Sequence, residues 1–312
     1  MVHGTHNAVK DDRNEEILIY VNGEFFPRNE AKISVFDSGY LVGDGIWEAI
    51  RLHKGGLPFL DLHLNRLWQG SKAVGMDLKM TKQDLVNIIW EVLNANKMTD
   101  GVHIRIMVTR GIKKTPSQDP RLTITGPNLV IIPEYKKANE DSRKKGVVLF
   151  TSTVRRGSPD YLDPRLNCHS KLHEVQALIQ AIEAGADEAL MLDVNGFVAT
   201  CNSTNFFIVK DEKVVTSTGK YCMNGITRQN VLNICKTEGI KSEEKDFSLT
   251  DVYDADEAFV TGTFGGLTPV IKIDGRIISK EEGAMTKILN EYYQELVRES
   301  ALKSKESPWM KL

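Results

Sequence analysis

The stretch from Glu134 to Gly146 reads EYKKANEDSRKKG, dense in charge and nearly empty of apolar side chains. Such a segment cannot bury itself, so it reads as a linker that divides the chain. At 312 residues the chain exceeds the size at which one hydrophobic core stops growing, and two domains are expected. The reading places a flexible lead-in over 1–14, a small domain over 15–133, the linker over 134–146 and a larger domain over 147–312.

The first half alternates strand and helix signals. Ile17 to Tyr20 is apolar and runs through Asn22-Gly23 into Phe25-Phe26, a hairpin pattern. Asp37-Ser38-Gly39-Tyr40 and Gly43-Asp44-Gly45 form a turn-rich approach to a strand over Ile46 to Leu52, and Lys54-Gly55-Gly56 closes another turn. Leu62, Leu64, Leu67, Ala73 and Val74 recur at helical intervals, which predicts a helix over Asp61 to Met76. A second helix runs from Thr81 to Asn96, with Thr81 as N-cap and Asp84 at the capping-box position. Strands follow over His103 to Thr109 and Asn128 to Ile132.

Beyond the linker the spacing predicts strands over Val147 to Thr153, Glu188 to Asp193, Phe206 to Lys210 and Glu257 to Thr261. Helices are expected from Leu172 to Gly185, from near Thr227, and from Lys280 to Val297. Mixed elements of this kind imply an α+β chain.

Composition narrows the function classes. Apolar residues at 41% and charged residues at 26% are an ordinary globular balance. A net charge of −2 gives no electrostatic reason to expect nucleic acid or an anionic membrane as partner. No apolar run approaches the roughly 20 residues that span a bilayer, and Met1 to Asn14 lacks the apolar core of a secretory signal. Cys168, Cys201, Cys222 and Cys235 form no C-x-x-C pair, which suits a reducing cytoplasm. No metal is expected.

Seven short stretches then occur in one order: FDSGYLVGDGIWE from Phe36, HLNRL from His63, HIRIMVTRG from His103, Lys171 ahead of AGADEALMLD, GFVATCNSTNFF from Gly196, GITR from Gly225, and TGTFGGLTPV from Thr261. Together they resemble the class IV aminotransferases, the family of branched-chain and D-amino-acid aminotransferases and aminodeoxychorismate lyase. The resemblance runs from about Ile17 to Ile273. It implies the two-domain fold-type-IV architecture: a small α/β sandwich domain plus a larger pseudo-barrel β domain with helices. It also implies pyridoxal 5'-phosphate as cofactor, an amino acid or amine and a 2-oxo acid as substrates, and a homodimer or higher homo-oligomer.

On this resemblance Lys171 is the Schiff-base lysine, an amine that holds the cofactor and, once released, moves a proton. Any single lysine is otherwise a solvated one, and its placement ahead of AGADEALMLD is what marks it. The stretch KLHEVQ departs from the family, where an Asn often follows the lysine by a few residues. Phosphate binding needs backbone N–H groups at a helix start plus a fixed cation. Ile226 and Thr227 open the helix in GITR, Arg66 matches the family's phosphate arginine, and Thr263 matches a further donor. Read alone, GITR is an ordinary helix start and Arg66 a solvated arginine.

Thr200 is the departure most particular to this chain. It stands where the family carries a glutamate against the pyridine nitrogen, and no glutamate lies between Asp193 and Lys210. A carboxylate there keeps the nitrogen protonated and the ring a strong electron sink, which threonine cannot do. For substrate, His103-Ile104-Arg105 resembles the aromatic-x-Arg pattern of branched-chain enzymes, with His in place of Tyr. Val108 to Gly111 resembles the D-amino-acid enzymes instead, yet the loop IKKTPSQDPR lacks their Arg-x-His carboxylate trap. Arg105 is the expected carboxylate binder, with a structural salt bridge as its alternative, and Trp47 the expected pocket wall. The reading is thus a pyridoxal-phosphate-dependent transaminase. A lyase of the aminodeoxychorismate type and a weakly active cofactor-binding relative are the alternatives.

Overall fold

A computed structural model describes residues 5, 8–137 and 145–306. The chain forms two compact units. The larger comprises residues 1–9, 138–166 and 171–296, and the smaller 10–137, 167–170 and 297–312. The division is therefore not sequential, because Asn167–Ser170 and the chain beyond Leu296 group with the smaller unit. Of the segment expected as linker, Glu134 and Tyr135 end a strand, and 138–144 lie outside the described residues. So do 1–4, 6 and 7 of the expected lead-in.

In the smaller unit five strands run antiparallel in the order β2-β1-β5-β4-β3. They are β1 (Leu18–Val21), β2 (Glu24–Pro27), β3 (Gly45–Leu52), β4 (Val102–Thr109) and β5 (Asn128–Tyr135). The β1–β2 turn is Asn22-Gly23, both at positive φ, as a two-residue hairpin requires. A short helix α1 (Ser38–Val42) precedes β3. Even-numbered residues of β3 and β4 (Ile46, Ile50, Leu52, Ile104, Ile106) meet Leu64 and Leu67 of α2 (Leu60–Ala73) and Leu85, Ile89 and Val92 of α3 (Lys82–Ala95) in one core. Strand alternation then turns Trp47, Ala49, Arg51, His103 and Arg105 to the other face. Helix α3 starts as its sequence predicts: the Thr81 hydroxyl accepts from the Asp84 N–H at 3.1 Å while Asp84 accepts from the Thr81 N–H at 2.8 Å. The Lys54-Gly55-Gly56 turn closes on a single bridge, His53 to Gly56, and a side chain at Gly56 would overlap the Ala301 carbonyl.

The larger unit is built on nine strands: β6 (Val147–Thr151), β7 (Glu188–Leu192), β8 (Val198–Cys201), β9 (Asn205–Lys210), β10 (Lys213–Thr216), β11 (Ser242–Glu244), β12 (Glu257–Gly262), β13 (Gly266–Ile273) and β14 (Arg276–Ile277). Their order is β11-β10-β9-β12-β13-β6-β7-β8, with β14 on β13. The Cys201 N–H donates to the Thr204 carbonyl at 2.9 Å across the turn between β8 and β9, so the sheet curls to bring its end strand beside a central one. Leu190, Leu192, Val198, Phe206 and Val260 fill one side. On the other, Ala177 and Ala181 of α4 (Leu172–Glu183) pack on Ala189 and Met191. The remaining helices are α5 (Ile226–Thr237), α6 (Leu249–Tyr253) and α7 (Ala284–Glu306), the last extending well past the expected end at Val297. Among the described residues no helix is long and apolar enough to cross a membrane.

Candidate active site

Five of the expected site residues belong to the larger unit. Lys171 is the N-cap residue of α4, and its Nζ lies 3.4 Å from Glu174 Oε1. That carboxylate also receives Arg156 Nη1 at 2.7 Å and stands 2.9 Å from His173 Nδ1. Burial pushes the Glu174 carboxyl up, but His173, Lys171 and Arg156 outweigh it and hold it at about 2. Sequence reasoning missed Glu174 and Arg156, which carry no motif; Glu174 is one helical turn from Lys171, the only signal available.

Thr200 pairs with Met191 across β7 and β8 and therefore shares the face that meets α4. It is buried, and its hydroxyl donates to the Thr204 carbonyl at 2.7 Å. With the proton so committed, Oγ1 can act toward a ligand only as a neutral acceptor. Glu188 alternates to the opposite face of β7 from Met191 and accepts from Thr204 Oγ1 at 2.7 Å. Burial raises the Glu188 carboxyl to about 7, against the hydrogen bond from Thr204.

Helix α5 begins at Gly225, where no side chain caps it, which leaves the N–H groups of its first turn open to an anion. A Cβ at Gly225 would overlap Asn205 Oδ1, so Asn205 would have to shift to admit any other residue there. Asn205 in turn donates to the Met223 carbonyl at 2.9 Å. Ile226 and Thr227 are buried in this turn, and Thr227 Oγ1 lies 3.2 Å from the Tyr293 hydroxyl. Arg228 faces inward and is spent on the Ser217 carbonyl, at 2.6 Å, and on Glu244. Thr263 sits in the turn between β12 and β13, and Thr261 nearby keeps a buried Oγ1 with no partner among the described residues. No sequence signal singles out Thr261. Backbone N–H groups, the Thr227 hydroxyl and the Thr261 hydroxyl fit a phosphate.

The other three expected residues belong to the smaller unit. Glu48 points into the α2 side of the sheet, where Arg66 grips it through Nε at 2.6 Å and Nη2 at 2.8 Å and His63 Nδ1 meets it at 2.7 Å. Burial alone would raise Glu48, yet Arg66 and His63 hold it at about 2. Arg66 Nη1 remains buried with no partner among the described residues, a donor suited to an anion. On the opposite face of the sheet the Arg105 guanidinium lies 4.1 Å from the Trp47 ring centroid. Burial lowers the Arg105 pKa, with Glu134 offsetting in part. Lys136 is lowered likewise, first by burial and then by Arg105 and Arg51. Trp47 is fixed by Asn167–Ser170: its Nε1 donates to the Cys168 carbonyl at 3.1 Å, and its N–H to the Asn167 carbonyl at 2.9 Å. Among the described residues no three His, Cys, Asp or Glu side chains group as a metal site.

The chain is α+β with a curled sheet, a helix start without a side-chain cap at Gly225 and a lysine at the start of α4. The family described as amino-transferase class IV matches residues 45–273, and the chain belongs to that family. It is 39% identical over 284 residues, 91% of this chain, to branched-chain-amino-acid aminotransferase-like protein 2 of Arabidopsis thaliana, and spans about half of that relative, 51%. It is also 39% identical, over 89% of this chain and 96% of the relative, to a putative branched-chain-amino-acid aminotransferase of Methanocaldococcus jannaschii. Among solved structures, the branched-chain aminotransferase of Thermoproteus uzoniensis with norvaline superposes with a TM-score of 0.83 at 26% identity, covering 94% of this chain and 98% of that one. A second solved branched-chain amino acid aminotransferase, with pyridoxamine 5'-phosphate, superposes with a TM-score of 0.86 at 29% identity, covering 93% of this chain and 97% of that one.

Proposed function

We propose that this chain is a pyridoxal-phosphate-dependent aminotransferase that moves an amino group between an amino acid, branched-chain or D-, or an amine, and a 2-oxo acid. The observation that carries the reading is the phosphate cradle: an uncapped helix start at Gly225, the Thr227 hydroxyl and the partnerless Thr261 hydroxyl, all within the segment that matches the family. When bound, the cofactor supplies an aldehyde that takes up the amino group and a ring that withdraws electrons from the substrate carbon. The N–H groups of Ile226 and Thr227, with Thr227 and Thr263, bind the phosphate in this account. Arg66 offers Nη1 to an anion while Glu48 fixes its orientation through two bonds. Lys171 holds the cofactor, and its Nζ is the atom that carries the proton. Arg105, stacked on Trp47, receives a substrate carboxylate.

A second reading, a weakly active cofactor-binding relative, is favoured by one observation. Thr200 offers the ring nitrogen only a neutral oxygen, so the electron sink is weaker than with a carboxylate. Four free, buried cysteines support a reducing compartment, the cytoplasm. A homodimer is supported by α4: Leu172, Val175, Ile179 and Ile182 are 71%, 50%, 50% and 47% exposed along one stripe. Their spacing is symmetric about its midpoint, so a second copy running antiparallel sets Leu172 against Ile182 and Val175 against Ile179.

Borohydride reduction of the pyridoxal-phosphate-loaded protein tests the site. The cofactor is expected on the peptide containing Lys171, and Lys171→Ala is expected to abolish both fixation and transamination. Fixation retained in that variant assigns the amine elsewhere.

A further inference from the structure

Helix α7 belongs to the larger unit as far as Leu296, and its start is fixed by one acid. Glu257 of β12 accepts from the Met285 N–H at 2.9 Å, and from the Thr286 N–H and hydroxyl, each at 2.8 Å. Leu289 and Tyr293 follow Thr286 at helical spacing on one face, and all three are buried. Tyr293 is therefore aimed from a fixed backbone. Its ring lies over Gly266, at φ +65° where β13 begins just past Thr263; a Cβ there would stand 3.4 Å from Tyr293 Cε1. Its hydroxyl lies 3.2 Å from Thr227 Oγ1, in the first turn of α5. One phenol thus touches both arms of the phosphate cradle, the helix start and the turn between β12 and β13. Thr261 pairs with Asn205 across β12 and β9, and Asn205 Oδ1 abuts Gly225. The buried Thr261 hydroxyl, with no partner among the described residues, therefore faces the same anion site.

We propose that Tyr293 is a positioning residue for the cofactor phosphate: its hydroxyl donates to Thr227 Oγ1 and so turns the Thr227 proton toward the phosphate. The inference rests on the reading of Gly225 to Thr227 as the phosphate cradle. Each hydroxyl of the pair has one proton, and either can donate to the other while no anion is present. A phosphate dianion only accepts. It takes the Thr227 proton, and the Thr227 lone pair facing Tyr293 accepts from the phenol. The bonds then run one way, from Tyr293 to Thr227 to phosphate, and each strengthens the next.

Titration calorimetry with pyridoxamine phosphate tests this order on native protein, Tyr293→Phe, Thr227→Val and the double variant, with urea melts to confirm the fold. Tyr293→Phe keeps the ring over Gly266 and removes one oxygen. It is expected to weaken binding about threefold to tenfold, the worth of one neutral hydrogen bond. In the Thr227→Val background the same change is expected to cost nothing further. In a Thr227→Ser background, which keeps the hydroxyl, the loss is expected to return. Unchanged affinity in Tyr293→Phe overturns the inference. So does an equal loss with and without the Thr227 hydroxyl, which is what a tyrosine that only packs the helix would give. A check on native protein needs no variant: saturating inorganic phosphate is expected to shift tyrosine near-ultraviolet absorbance, and the absence of a shift overturns the inference. Thr227→Val binding pyridoxamine phosphate as tightly as native overturns the cradle itself. Weak binding in Thr227→Val beside an unaffected Tyr293→Phe overturns the inference alone.

Discussion

Under the proposed placement of Thr200 at the cofactor's ring nitrogen, replacing it by glutamate supplies an acid there, and its effects on binding and on folding separate. A charge-assisted hydrogen bond to a protonated ring nitrogen is worth about 1.5–3 kcal/mol, roughly tenfold to a hundredfold in affinity. The native hydroxyl supplies at most a neutral contact, because its proton is given to the Thr204 carbonyl at 2.7 Å. Losing that bond and fitting a longer chain at a buried position costs about 1.5–4.5 kcal/mol of stability, and the unliganded protein also bears a buried carboxylate without its partner. Thr200→Glu is therefore expected to bind pyridoxamine phosphate at least tenfold more tightly while folding less stably. Pyridoxamine phosphate is the right probe because it makes no bond to Lys171. Titration calorimetry on native protein, Thr200→Glu and Thr200→Ser reads the affinity, with urea melts for stability. Equal affinity in native and glutamate forms, both folded, refutes the placement of Thr200 at the ring nitrogen.

Three further outcomes follow from the geometry. Glu188 has a folded value of about 7 against 4.5, so it favours the fold below pH 4.5, and that contribution is lost as pH rises through 7. Glu188→Gln is expected to remove this fall, about 3 kcal/mol of pH dependence, in urea melts between pH 4.5 and 8; an unchanged slope contradicts it. Glu48 has the opposite sign: at about 2 in the fold, its contribution stands above pH 4.5 and disappears as pH falls toward 2. Glu48→Gln is expected to be destabilised by about 3–5 kcal/mol at neutral pH, since it strands the Arg66 guanidinium, and to lack the acid-side loss in urea melts. In the homodimer proposed above, Ile179→Asp on the exposed stripe of α4 is expected to shift sedimentation toward monomer with the fold intact; a native chain that sediments as monomer, or a dimer left undisturbed, contradicts this interface.

Much of the fold is legible in the sequence because its elements are locally encoded. The Asn22-Gly23 turn, the Thr81/Asp84 box and the apolar row of α2 each appear where the pattern puts them. Strands β8, β10 and β13 escape the pattern, as they are short or lie in glycine-rich runs such as TGTFGGLTPV, where periodicity is weak. The end of α7 is hidden because Ser300 and Ser304 read as polar. They serve as acceptors for the Phe59 and Leu57 N–H groups, each at 2.8 Å, a contact 241 and 247 residues distant in sequence. The site divides in the same way. Motifs mark the helix start at Gly225 and the positions of Lys171 and Thr200. What surrounds them depends on partners far along the chain: Arg156 for Glu174, Asn205 behind Gly225, and Asn167–Ser170 around Trp47. No local pattern announces contacts of that kind.

The central claim is that the chain transfers an amino group through a bound cofactor, and a half-reaction tests it most directly. The pyridoxal-phosphate-loaded protein is mixed with an amino donor and no acceptor, across D- and L-amino acids and chiral amines. The account predicts that at least one donor yields its oxo product and pyridoxamine phosphate in amounts equal to the protein. A panel in which no donor forms pyridoxamine phosphate, with cofactor demonstrably bound, contradicts it.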